Sequence, residues 1–266
     1  MYEEQGNSKN NNDKFLVDQL LISHPHQDHI SGIKEFRDSF YADLITCPND
    51  NEGMEETHKI DWDLLEENPN VDILREMVVG RQPPLRATHE QNEFIFYLPP
   101  VDVEYSDELS NESYCNNISL VVFLIIKQHR IFIPGDIQKL GMIELMNRNH
   151  RLKNKLRGGV DVLITPHHGL RSSFCTDLFG EMKNNKTKCL NVVSEKPNSG
   201  DNREVDTRYS SSDYCEGQNN LGEIDDPSYQ VKTSRGHILI DYSGNNLPYF
   251  EIIIDNEQLI KRFLEI

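Results

Sequence analysis

Three apolar runs in this chain end in histidine or aspartate, and that recurrence constrains the fold more than any other feature. They are "FLVDQLLISHPHQDH" (15–29), "IFIPGD" (131–136) and "DVLITPHHG" (161–169). Each has the length and apolar content of a buried strand. Imidazoles and carboxylates repeated at strand ends predict a layered sheet with a polar site gathered along one rim.

The coarse pattern agrees. A strand at 15–23, the histidine loop, a short helix near 30–40 and a second strand "ADLITC" (42–47) make a β-loop-α-β unit. Residues 48–113 read as a polar, acidic insertion with a helix inside "DWDLLEENPNVDILREMVV" (61–79) and a strand in "NEFIFYLPP" (92–100), with too few apolar residues for a core of their own. "SLVVFLII" (119–126) and "IFIPGD" form a hairpin turning at "KQHR", and one helix is expected over 138–156. "KCLNVVS" (188–194) is a further strand, 195–235 an irregular segment, and "HILIDYS" with "YFEIIID" a closing hairpin. The expected organisation is a disordered leader (1–14) followed by a single α/β domain (15–266).

His24 and His26 are two residues apart, so in an extended loop their side chains project the same way and can share one ion. Asp28 and His29 can turn toward a second ion. Imidazole suits zinc, iron and manganese, and an added carboxylate favours harder ions and bridging. Asp136, after a glycine that permits a tight turn, and the pair His167–His168 are the other polar strand ends.

"HPHQDH" matches the His-x-His-x-Asp-His signature of the metallo-β-lactamase superfamily, which the chain resembles. The order "SHPHQDHISGI", "NNISLVV", "FIPGDI", "DVLITPHHG" is similar, more narrowly, to the cytoplasmic domain of ComEC-type DNA-uptake competence proteins. The resemblance implies an αββα sandwich with two divalent metals at one edge, zinc first, manganese or iron as alternatives. It implies His24 and His26 on the first metal, Asp28 and His29 on the second, and Asp136 bridging them. His168, with His167 beside it, is implied as a ligand or proton donor. The implied reaction is hydrolysis by a metal-activated hydroxide, with phosphodiester cleavage favoured and a thioester, lactone or lactam as the alternative bond. A degenerate module that binds a partner is the non-enzymatic alternative.

This sequence departs from the family pattern in three places. Asn116 and Asn117 stand where a separate third histidine is usual, which makes Asn117 a candidate substrate contact. No late histidine follows "NVVSEKPNSGDNREV", and only 23 residues precede His24 where relatives carry two or three strands. The alternatives are that a partner chain or an upstream segment completes the sheet, or that the sheet keeps an exposed edge that invites pairing.

Composition limits the substrate. Against 27 lysines and arginines stand 44 acidic residues, a net charge of −17 that opposes a long polyphosphate strand. A short nucleic acid or another small hydrolysable molecule fits better, and two divalent ions would offset part of the field. Arg171 and Ser172, just past "PHHG", are candidate phosphate contacts. The basic stretch Arg148, Arg151, Lys153, Lys155 and Arg157 reads as a solvated helix end more readily than as a phosphate patch. Tyr209, Tyr214 and Tyr229 either stack on a base or pin their loop. The longest apolar run is too short to span a bilayer, and five scattered cysteines without a Cys-x-x-Cys pair suggest reduced thiols. No membrane association and a cytoplasmic location are expected.

Overall fold

The computed structural model describes residues 14–79, 92–195, 204–217, 229–235, 237–241 and 249–253. The leader (up to Asp13) and His89 lie outside them, as do parts of the irregular segment. The mixed α/β class holds: sheets flanked by helices, consistent with an αββα sandwich. The chain divides at Val121/Val122 into two compact units.

In the first unit, β1 (Phe15–Leu21) and β2 (Phe40–Thr46) pair in parallel, with Phe15 opposite Phe40 and Leu21 opposite Thr46. A parallel pair needs a crossover, and α1 (Gln27–Ile30) and α2 (Ile33–Ser39) supply it. Two backbone bonds continue the tie past β1, from Ile22 N–H to the Thr46 carbonyl (2.9 Å) and from Leu120 N–H to the Ser23 carbonyl (2.8 Å). His24 is therefore the first residue beyond a fixed strand end. Buried Ile30 and Ile33 anchor the helices that follow it.

The acidic segment is more structured than its polarity suggests. α3 (Pro69–Val78) begins with proline in its first turn and with the Asn68 side chain accepting from Asn70 N–H at 2.9 Å. Val71, Leu74 and Val78 are buried at helical spacing, and α3 packs on α1 and α2. β3 (Glu93–Phe96), α4 (Pro100–Glu104) and α5 (Tyr114–Asn117) follow, with Phe94, Phe96, Leu98, Val103 and Leu109 buried. A few large side chains at the right phase are thus buried along this polar segment.

In the second unit, β4 (Val121–Ile126) and β5 (His129–Ile133) form the hairpin, Ile126 opposite His129, across a two-residue turn in which Lys127 is left-handed at φ +54°. β6 (Val162–Ile164), β7 (Leu190–Val193) and β8 (Gln230–Lys232) add in parallel, in chain order after β5. Ile131, Val162, Leu190, Val192 and Val231 form a buried cluster, with Ile238 and Ile240 packed against it. These two belong to β9 (His237–Asp241), which pairs antiparallel with β10 (Tyr249–Ile253) as expected.

The single helix expected over 138–156 is two. α6 (Lys139–Arg148) ends and α7 (His150–Arg157) starts at Asn149, whose extended backbone (φ −119°, ψ 89°) lets its side chain accept from Leu152 N–H at 3.0 Å. An asparagine can cap a new helix where it would be indifferent inside a continuous one. α8 (Thr176–Glu181) crosses from β6 to β7 and packs on both α6 and α7.

Candidate metal-binding half-sites

Each unit presents its own polar cluster at a strand end. In the first, the four residues of the histidine loop gather. His24 is fully buried; His26, Asp28 and His29 are partly exposed. The His24 ring lies 4.2 Å from that of His29 and 5.8 Å from that of His26, centroid to centroid. His26 Nδ1 stands 2.6 Å from Asp28 Oδ1, and His29 Nε2 stands 4.0 Å from Asp28 Oδ2. His26 also occupies the N-cap of α1 without a side-chain cap bond, and its carbonyl accepts from His29 N–H at 2.9 Å. Its imidazole pairs with Asp28 instead.

Ser23 was not singled out by the sequence reading, yet its Oγ lies 3.1 Å from His24 Nδ1 and 3.2 Å from His29 Nδ1. One hydroxyl thus touches Nδ1 of both rings, donating to or accepting from each, and orients the two together. Metal-binding histidines are oriented by partners of this kind. The only cue in sequence was a hydroxyl directly before the first histidine.

In the second unit, the parallel strands β5, β6 and β7 end on the same side, and the residues after them converge. His167 N–H donates to the Gly135 carbonyl at 3.1 Å, tying the "PHHG" turn to the "PGD" turn. Gly135 (φ +60°), His167 (+47°), His168 (+57°) and Gly169 (+73°) all lie in the left-handed region. For histidine that conformation is strained, and such strain collects at functional sites. A Cβ on Gly169 would approach Thr165 Oγ1 and Val205 Cγ1 to 3.2 Å, so glycine is required there.

The tight turn sets His168 Nε2 3.6 Å from Asp136 Oδ2, with the aspartate side chain 5% exposed. His168 Nδ1 lies 2.8 Å from the Ser194 carbonyl beyond β7, which can only accept. Nδ1 therefore carries the proton and Nε2 faces the carboxylate. His167 Nδ1 lies 3.2 Å from Oγ of buried Ser173, a second hydroxyl that the sequence reading gave no orienting role.

The other candidates divide. Arg171 and Ser172 are exposed on the turn after "PHHG". Asn117 is fully buried and donates from Nδ2 to Glu112 Oε2 at 2.9 Å. The basic stretch does have acidic neighbours: Arg148 pairs with Glu144, and both Lys153 and Arg157 pair with Glu181 of α8. Tyr209 and Tyr214 pin their loop by edge-on packing against Phe174, at 4.8 and 5.0 Å, and contact Phe179. His58, given no role, accepts from or donates to the Tyr97 hydroxyl at 2.6 Å.

A cavity of about 240 Å³ opens beside the histidine loop in the first unit. Pro25, His26, Leu64, Leu65, Tyr114 and Cys115 are among its lining residues; among the described residues Glu66 is its one carboxylate, and neither lysine nor arginine lines it. No disulfide joins any of the five cysteines. Burial pushes the Cys47 and Cys189 thiols up to about 12 and those of Cys175 and Cys215 to about 11, which makes them poor nucleophiles. Among the described residues, no helix is long and apolar enough to cross a membrane.

Residues 13–174 match the family described as the metallo-beta-lactamase superfamily. No curated protein matches the chain.

Proposed function

The chain belongs to the metallo-β-lactamase superfamily, and on that premise we propose that it is a metal-dependent hydrolase that holds two divalent ions through the residues the family's motif implies. In the first unit we assign Asp28 and His29, and in the second Asp136 and His168, as ligands by the family's motif. His24 and His26 complete the set. The donor chemistry fits: four imidazoles with two carboxylates suit zinc, and manganese or iron would also be accepted. When bound, the ions supply Lewis acidity and a water acidified toward neutral pH.

The single observation that carries this reading is the hydroxyl and carbonyl support behind the imidazoles. Ser23 lies at Nδ1 of His24 and His29 and the Ser194 carbonyl at Nδ1 of His168, the kind of partner that orients a ligating imidazole from behind. With His168 so committed, we assign proton donation to His167, oriented through Nδ1 by Ser173.

For the bond cleaved, we propose a phosphodiester, in a short nucleic acid or a nucleotide-like molecule. Exposed Arg171 and Ser172 beside the "PHHG" turn support it, together with two carboxylates able to hold two ions. The narrower likeness to ComEC-type proteins rests on the order of the motifs and belongs to this proposal. A second reading, cleavage of a thioester, lactone or lactam, draws on the cavity at His26, whose mixed lining has no lysine or arginine among the described residues and so suits a neutral acyl group better than a phosphate. A cytoplasmic location is part of this proposal, supported by five free cysteines of which four are buried.

Elemental analysis of the purified chain beside a His24→Ala, His26→Ala double variant tests the centre. Two divalent ions per chain, lost in the variant, are expected. No bound metal after reconstitution with zinc, manganese and iron in turn would reject the hydrolase in favour of a degenerate binding module. Hydrolysis of bis(p-nitrophenyl) phosphate against p-nitrophenyl acetate and a chromogenic lactam then separates the two bonds.

A further inference from the structure

The second unit holds a cavity of about 520 Å³ at the opposite end of its sheet from Asp136 and His168. It lies where β5, β6 and β7 begin. Arg130, Lys183, Lys186 and Lys188 line it with two acids, Asp161 and Glu216. In a chain with 44 acidic residues against 27 basic ones, a wall with this excess of cations runs against the overall composition.

We propose that this cavity is a second binding site, for a small molecule bearing two or more phosphate groups, with Arg130 as its planar anchor and Lys183, Lys186 and Lys188 around it. The Arg130 backbone is tied down by its N–H donating to Asp161 Oδ2 at 2.7 Å, and its guanidinium lies over the Phe123 ring, 5.9 Å from the centroid, and against Gly158. A prearranged guanidinium loses little freedom on gripping a phosphate and offers it two parallel N–H donors. Asp161 is engaged by that N–H and by Lys188 Nζ at 3.5 Å, so its charge is already countered. Lys186 donates to the Ser212 carbonyl at 2.8 Å, which directs its ammonium without neutralising it.

The neighbourhood is positive beyond the wall. Burial lowers the Lys155 ammonium below its ordinary value, and the nearby Arg130 and Arg151 lower it further. An anion entering the cavity would relieve that repulsion. The volume suits a mononucleotide-sized ligand and is too small for a folded partner. The site is separate from the proposed metal centre and does not depend on it.

Calorimetric titration of the full chain with inorganic tripolyphosphate, after chelator treatment, tests the proposal. Saturable binding at one site per chain is expected, weakened about tenfold or more in a Lys183→Glu, Lys186→Glu double variant and unchanged in Asp136→Asn. Should the double variant fail to fold by circular dichroism, Lys183→Ser at an exposed position is expected to weaken binding severalfold. Absence of saturation, full affinity in the folded lysine variants, or loss of binding in Asp136→Asn would each overturn it.

Discussion

His168 directs Nε2 at the Asp136 carboxylate, 3.6 Å away, because its Nδ1 is held 2.8 Å from the Ser194 carbonyl beyond the neighbouring strand. Three strand ends thus determine one tautomer. Removal of the ring by His168→Ala should lower metal content and abolish hydrolysis while far-ultraviolet circular dichroism stays unchanged. A variant with full metal occupancy would return His168 to a structural role.

Ser23→Ala separates orientation from ligation. The hydroxyl contacts Nδ1 of both His24 and His29 and is not itself a proposed ligand. Metal affinity should fall by about 10- to 100-fold, the range for partners behind ligating histidines. Competition with a chelating dye measures it, and undiminished affinity would remove Ser23 from the site.

Gly169→Ala should destabilise the second unit by about 1–3 kcal/mol, because alanine at φ +73° is strained and its Cβ would press on Thr165 and Val205. Urea denaturation is the measurement. An unchanged midpoint would mean that the turn relaxes freely, and with it the placement of His168.

Cysteine labelling reports on the cavity at His26. Cys115 is partly exposed and lines that cavity, whereas Cys47, Cys175, Cys189 and Cys215 are buried, with thiols raised to about 11 or 12. Iodoacetamide at pH 8 should modify Cys115 first in the native chain, as peptide mass spectrometry would show. A substrate that occupies the cavity should slow this reaction, and faster labelling of any of the other four would contradict their burial.

Asp206 accepts from the Arg208 guanidinium at 2.9 and 2.6 Å, and Arg208 covers the Phe174 ring at 3.8 Å. That hydrogen bond holds the Asp206 carboxyl below its ordinary value. A depressed folded-state pKa contributes stability above the unfolded value, near 3.9, and the contribution is lost as pH falls through the folded value. Asp206→Asn should therefore cost up to about 1 kcal/mol at neutral pH, a modest figure because the Arg208 side chain remains 41% exposed and so screened by solvent, and close to nothing in strong acid. Equal loss at both extremes would assign the effect to packing alone.

The sequence by itself determined the strands, the loop chemistry and the family. Apolar runs of strand length ending in "HPHQDH", "PGD" and "PHHG" are local facts, and period and residue type suffice to read them. It also marked Asp136 and the histidine pair before any neighbour was known. Only the tertiary structure decided which atoms meet. The Ser194 carbonyl reaches His168, and Ser173 reaches His167, because parallel strands bring distant loops to one edge, and no spacing in the chain encodes that. The break at Asn149 and the acids that neutralise the basic helix end depended likewise on a cap and on a neighbouring helix. Periodicity reports the face a residue shares with its own element; the partner across the gap is set by how elements pack.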